Sequence, residues 1–219
     1  MNRFCAISVA LGGLAILAGC SMAQLPQNPA NAQKVDAVIE RSKSTRVTYS
    51  IYNWNIVNSP DGAAREEWSA EFNMANQHRV ETPRDRIVAD CQAQVGSWFN
   101  LESGATETGA GQAMAACGIN TNRPFLTKDW LGPVTTPFGP ADRVRVSDHD
   151  LVGTYDVNSD GVILRTVFET NDTKRSRVLL DVAVSYSADV PDTKMFDKSS
   201  LEKSYVPEAW TRAPAVPIT

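Results

Sequence analysis

The alternation across residues 67–74 constrains this chain more than any other feature. Trp68, Ala70, Phe72 and Met74 fall on one face, and Glu67, Ser69, Glu71 and Asn73 on the other. Successive side chains of a strand point to opposite faces, so this period marks a half-buried β-strand and excludes a helix. The same period returns in 177–186, where Val178, Leu180, Val182, Val184 and Tyr186 are expected to share a face. Residues 46–57 (RVTYSIYNWNIV) are β-rich, with apolar side chains on both faces. Shorter strands are expected at 79–82 and 86–91, split by Pro83, and then at 97–102, 143–146, 151–157 and 162–169. Pro60-Asp61-Gly62 is a turn signal. Many short strands separated by turn residues describe an antiparallel meander, which by periodicity alone fits a barrel or a sandwich.

Helices are few. Residues 32–42 carry Val35, Val38 and Ile39 at helical spacing, with polar residues opposite. Residues 112–117 suggest a helical turn, and 197–203 a last helical piece before a Pro-rich tail at 206–219. The Gly-rich run 104–111 interrupts the meander. Residues 120–140 hold four of the twelve prolines without a period, and read as a loop with short helical pieces.

The N-terminus sets the address. Arg3 precedes a short apolar run, 4–18, closed by Leu17-Ala18-Gly19-Cys20. The run is shorter than the ~20 apolar residues a membrane-spanning helix needs, and it has the layout of a secretory signal. The last four residues look like a bacterial lipobox. Residues 1–19 are then a signal peptide and Cys20 the lipid attachment site, acylated with palmitate-like chains. Two or three chains anchor stably at ~0.8 kcal/mol per buried methylene. Ser21 in place of Asp favours the outer membrane, facing the periplasm. Residues 20–31 read as a flexible tether and 32–205 as one β-rich domain.

Without the signal, 20 basic residues face 25 acidic ones, a balance that offers no basic face for nucleic acid. Cys91 and Cys117 are the cysteines left once Cys5 is removed and Cys20 acylated. An oxidising envelope allows them to pair, and two buried thiols are the alternative.

Motifs for chemistry are sparse. Asp156-Val157-Asn158-Ser159-Asp160-Gly161 matches the first half of a calcium loop, but Val167 stands where a Glu should close it. Asn, Ser, Asp and Gly between two strands read better as a hairpin turn. His78 and His149 belong to no zinc pattern, and Asp148 and Asp150 beside His149 alternate in direction on an extended chain. No nucleophile elbow or phosphate loop occurs in the sequence. No catalytic residue, metal or cofactor is expected, and the protein is read as a non-enzyme.

Two stretches carry a family resemblance. In 76–103, HRVET is followed by IVADCQAQVGSWFNLESG, and 179–196 reads LLDVAVSYSADVPDTKMF. Both resemble the LolA/LolB-type lipoprotein carrier and receptor superfamily, the second through its terminal strand and Val-Pro-Asp-x-x-x-Phe step. The resemblance implies a mainly β (α+β) fold: a curved antiparallel sheet, or half-barrel, covered by short helices around an apolar cavity. The chain departs from the family in 104–140 and shows no protruding apolar loop of the LolB type. The resemblance implies binding or carriage of an acyl chain or other apolar ligand, with Trp54, Trp68, Phe72, Phe99 and Leu180 as candidate lining residues. A structural or regulatory lipoprotein that meets an envelope protein partner is the other expectation.

Overall fold

A computed structural model describes residues 28–170, 172 and 174–214. The signal segment, Cys20 and the tether as far as residue 27 lie outside the described residues. Helix α1 spans Pro29–Lys43. Strands β1 (Tyr49–Asn58), β2 (Ala64–Met74), β3 (Gln77–Glu81), β4 (Asp85–Asp90), β5 (Val95–Asn100) and β6 (Thr106–Gly109) follow. Helix α2 (Ala110–Ala116) separates them from β7 (Thr127–Thr136), β8 (Gly139–Ser147), β9 (Val152–Asn158), β10 (Ile163–Glu169) and β11 (Arg177–Ser187).

All strands form one antiparallel sheet in the order β6-β5-β4-β3-β2-β1-β11-β10-β9-β8-β7. Two meanders are zipped together by the pairing of β1 with β11. The sheet does not close: β6 and β7 remain its edges. This is the curved half-barrel that the resemblance implies.

Two corrections concern strands. Residues 127–136, expected as loop, are the edge strand β7. Its Thr, Lys, Asp and Gly give no apolar period, and Pro133 is tolerated because an edge strand can leave one amide side unpaired. The shared face expected in 177–186 also fails. The β1–β11 register skips Leu179 and Val184 as β-bulges, so Leu180 and Val182 pair with Ile56 and Trp54 on one face. Val178, Asp181, Ala183 and Tyr186 pair with Val57, Asn55, Asn53 and Ile51 on the other. Each bulge reverses which residue number points inward.

The helices cover the inner face. Asn28 caps α1 by accepting from the Ala30 amide, and Pro29 supplies the fixed φ of a first helical position. The buried stripe of α1, Val35, Val38 and Ile39, packs on Val144, Val146, Tyr155 and Val157 of β8 and β9. Lys34 sits 4.0 Å above the Trp130 ring, and Lys128 pairs with Asp36 at 2.6 Å, joining α1 to β7. At the other end of the sheet, Ala113, Ala116 and Cys117 pack on Ala89. The contact is close enough that a Cβ on Gly96 would lie 2.6 Å from the Ala113 nitrogen.

A C-terminal strap crosses the outer face. It contains 3-10 turns at Thr193–Phe196, Lys198–Ser200 and Glu208–Thr211. Met195 and Phe196 bury against Ala70 and Phe72, while Trp210 stacks near Phe72 and on Tyr52 at 5.6 Å. The Tyr52 hydroxyl donates to the Arg212 carbonyl at 2.7 Å.

An ionic triad fastens the strap. Arg79 and Glu81 are fully buried, and Arg86 nearly so. Arg79 Nε donates to Glu81 Oε1 at 2.7 Å, and its other nitrogens reach the carbonyls of Met195 and Lys203, both at 2.7 Å. Glu81 also accepts from Ser204 Oγ at 2.8 Å and the Tyr205 amide at 3.0 Å. Arg86 donates to the Leu201 and Glu202 carbonyls. The strap has no strand ladder of its own, so these side chains satisfy backbone groups that would otherwise be buried unpaired.

Candidate functional site

The inner face holds a cavity of about 320 Å³ between the sheet and its covering elements. Its floor comes from β1, β2, β3, β10 and β11. Its roof comes from the end of α1 with the following loop, and from α2. A second chamber of about 310 Å³ shares Asn120, Tyr155 and Phe168 with the first. Together they fall within the size range of ligand sites.

The roof is held close to the rim by one close backbone approach and by the Ser42 side chain. Gly161 in the β9–β10 turn has φ 86°, and a Cβ there would sit 2.2 Å from the Arg41 carbonyl oxygen at the end of α1. Only glycine fits both demands. Ser42 Oγ donates to Ile39 O and accepts from the Ile119 amide, which ties α1 to the segment after α2. On the other side, Cys91 and Cys117 are joined in a disulfide with Cα atoms 5.6 Å apart. It links the end of β4 to the end of α2.

The cavity is more polar than expected. Tyr49, Asn55, Ser69, Glu71, His78, Thr166 and Asp181 line it, with Val80, Ile163, Phe168 and Val178 as its apolar part. Several polar groups are poorly satisfied. Asn55 is only 2% exposed, yet its Oδ1 has no partner, and neither does Asp181 Oδ1. Asn53 reaches Glu71 at 3.4 Å, and His78 Nε2 lies 3.5 Å from the other Glu71 oxygen, both long contacts. Burial pushes the Asp181 carboxyl well above the ordinary carboxylate range, and the nearby Glu71 charge pushes it further. Burial, the Glu71 charge and then Tyr186 raise the Tyr49 phenol as well.

Asp181 therefore binds its proton more tightly folded than unfolded. Its cost to stability is absent below about pH 4 and grows as pH rises. Asp181→Asn is expected to raise the melting temperature at pH 8 by a few degrees, about 1 kcal/mol in a chain of this size. The gain should shrink towards pH 4. Thermal melts of both proteins across this range check it, and a gain independent of pH would refute the cause given.

None of the five apolar residues expected from the sequence lines this cavity. Trp54 pairs directly with Trp68, Leu180 with Ile56 and Phe99 with Arg86, all on the outer face. Phe72 lies there too, beneath the strap. The polar row of β2, Ser69, Glu71 and Asn73, faces the cavity instead of solvent. The signal missed was β1, where Asn53 and Asn55 alternate with Tyr52 and Trp54. Cross-strand register, invisible in one strand, decides which row points inward.

Other candidates resolve locally. Asn158 Oδ1 accepts from the Asp160 and Val162 amides, and Arg143 holds both Asp156 oxygens at 2.6 and 2.7 Å. The calcium-like run is thus the β9–β10 hairpin turn, with its first carboxylate engaged on the outer face. Asp148 Oδ1 accepts from the amides of Asp150 and Leu151, closing the β8–β9 turn. Among the described residues, no group of three or more His, Cys, Asp and Glu side chains is placed to hold a metal ion.

No family model and no curated protein matches the chain. Several solved structures are similar to it. An uncharacterised conserved protein from Thermus thermophilus has 16% identity and a TM-score of 0.46, over 75% of this chain and 90% of that one. A LolA superfamily protein from Nitrosomonas europaea has 10% identity and a TM-score of 0.39, over 76% and 99%. A DUF1329 family protein from Desulfovibrio piger has 7% identity and a TM-score of 0.39, over 79% and 98%. The likeness is one of fold.

Proposed function

We propose that the mature chain is a lipid-anchored protein of the outer membrane, facing the periplasm, which binds an acyl chain or other apolar-bodied ligand without converting it. The observation that carries this reading is the inner-face cavity with its adjoining chamber, roofed by α1 and α2. An apolar wall of Val80, Ile163, Phe168 and Val178 accepts a hydrocarbon body without directional bonds. The lipobox at Cys20 supports the address.

The test uses the mature chain with Cys20→Ser, secreted to the periplasm and purified without detergent. Native mass spectrometry is expected to show a one-to-one adduct, extractable by organic solvent, carrying an alkyl chain. A mass that stays bare after incubation with envelope lipids would sink the proposal, and cross-linking in cells would then test the alternative of a protein partner.

A further inference from the structure

We infer that the floor of the cavity recognises the protonated amino group of an amphipathic ligand, through the acceptor oxygens of Asp181, Asn55 and Glu71. The inference rests on reading the cavity as a ligand site, and it names the head group that such a ligand carries.

The argument is an inventory of donors and acceptors. Asn55 and Asp181 are direct cross-strand partners on β1 and β11. That places their Cβ atoms about 5 Å apart on the same face. Both side chains line the cavity, and both present an oxygen without a hydrogen-bond partner. Asn55 is the more telling of the two, since it is almost fully buried and its amide oxygen has lost water without gaining a donor. A buried acceptor left this way typically costs about 1–3 kcal/mol. Glu71 adds a carboxylate whose contacts to Asn53 and His78 are both long.

The lysine that lines the cavity is already engaged. Lys43 Nζ donates to Thr121 at 3.1 Å. Arg177, one of whose guanidinium nitrogens is buried without a hydrogen-bond partner, lines the adjoining chamber beside Asp148 and Asp150 and is absent from the wall of this cavity. Two carboxyl groups thus share a low-dielectric pocket in which His78 faces Glu71 at a long 3.5 Å and no lysine or arginine of the lining pairs with Asp181, an arrangement that favours a cation brought from outside. A bare metal ion lacks the ligand set. An ammonium group fits, because it offers three N–H donors and one positive charge. The apolar wall formed by Val80, Ile163, Phe168 and Val178 lies beside these oxygens and takes the attached hydrocarbon. An anionic head, such as a fatty-acid carboxylate, would bring a further negative charge beside Glu71 and would offer no proton donor to the Asn55 and Asp181 oxygens.

The experiment measures binding of dodecylammonium and dodecanol to the mature Cys20→Ser chain by calorimetry at pH 7.5, below micelle-forming concentrations. The amine is expected to bind at least about tenfold more tightly than the alcohol, as charge-assisted hydrogen bonds require. Asp181→Asn should bring the ratio of the two affinities close to one, and Glu71→Gln should reduce it in part. Circular dichroism confirms that each variant folds. Lysophosphatidylethanolamine as a third probe separates the two sources of such a head: a preference shared by it assigns the site to amino-headed lipids, and a preference confined to dodecylammonium assigns it to free amines. Equal binding of alcohol and amine, or a preference that survives Asp181→Asn, overturns the inference and leaves the apolar-ligand reading standing. Binding of none of the probes overturns both.

Discussion

Glu81→Ala is expected to cost about 3–5 kcal/mol, because it leaves two buried guanidinium groups without their counter-charge. Few single changes remove a larger share of a stability that is ordinarily about 5–15 kcal/mol. The reason lies in the geometry of the triad. Glu81 is completely buried, bridges Arg79 and Arg86, and holds the strap through Ser204 and the Tyr205 amide. Burial already lowers the Arg79 pKa, and Glu81 is the main group opposing that fall. Denaturant titration of wild type and variant measures the loss, and limited proteolysis should show cleavage in 190–212 before the sheet is cut. A loss below about 1 kcal/mol would mean that the triad is replaceable by water. Replacing all three members with apolar residues of similar size is expected to be far milder than the single change, since no uncompensated charge then remains.

Loss of the disulfide is the second large effect. The Cys91–Cys117 bond spans 26 residues. A loop of that length corresponds to about 3.5 kcal/mol of lost chain entropy in the unfolded state. Helix α2 has seven residues and would not persist alone. The bond anchors it over β4 and β5, and Gly96 lets it come close. Reductant, or the double change Cys91→Ala with Cys117→Ala, is expected to lower the unfolding free energy by about 2–4 kcal/mol. It should also raise amide exchange in 110–117 well above that of α1. An unchanged midpoint in reductant would show that packing alone holds the roof.

These two effects also show where the sequence was legible. Alternation in β2 identified a strand correctly and divided its residues into two rows correctly. It did not say which row faced inward. The ordinary assumption puts Trp68, Ala70 and Phe72 towards the cavity and Glu67, Ser69 and Glu71 towards water. The strap reverses this, because it supplies the apolar row with a second cover on the outer face. Nothing within β2 encodes a segment so distant along the chain. The same holds for Arg79 and Glu81, which look like surface charges until the strap arrives. The helix at 32–42 was readable because its three apolar residues need only one partner surface. The edge strand β7 was not, because it pairs on one side only, with β8, and its other side leaves composition freer. Cys91 and Cys117 could be recognised as candidates, but their pairing depended on the close seating of α2 against β4 and β5.

The bulges at Leu179 and Val184 have an evolutionary consequence. Each is one extra residue in β11 with no partner in β1, and each bends and twists the sheet at the line where its two halves meet. Deleting either residue would remove its own bulge while every lining side chain kept its neighbour across the strand. The sheet would flatten, and the chamber beneath it would change size. The dimensions of the chamber are therefore open to selection through single-codon insertions and deletions in one strand, independently of the side chains that line it.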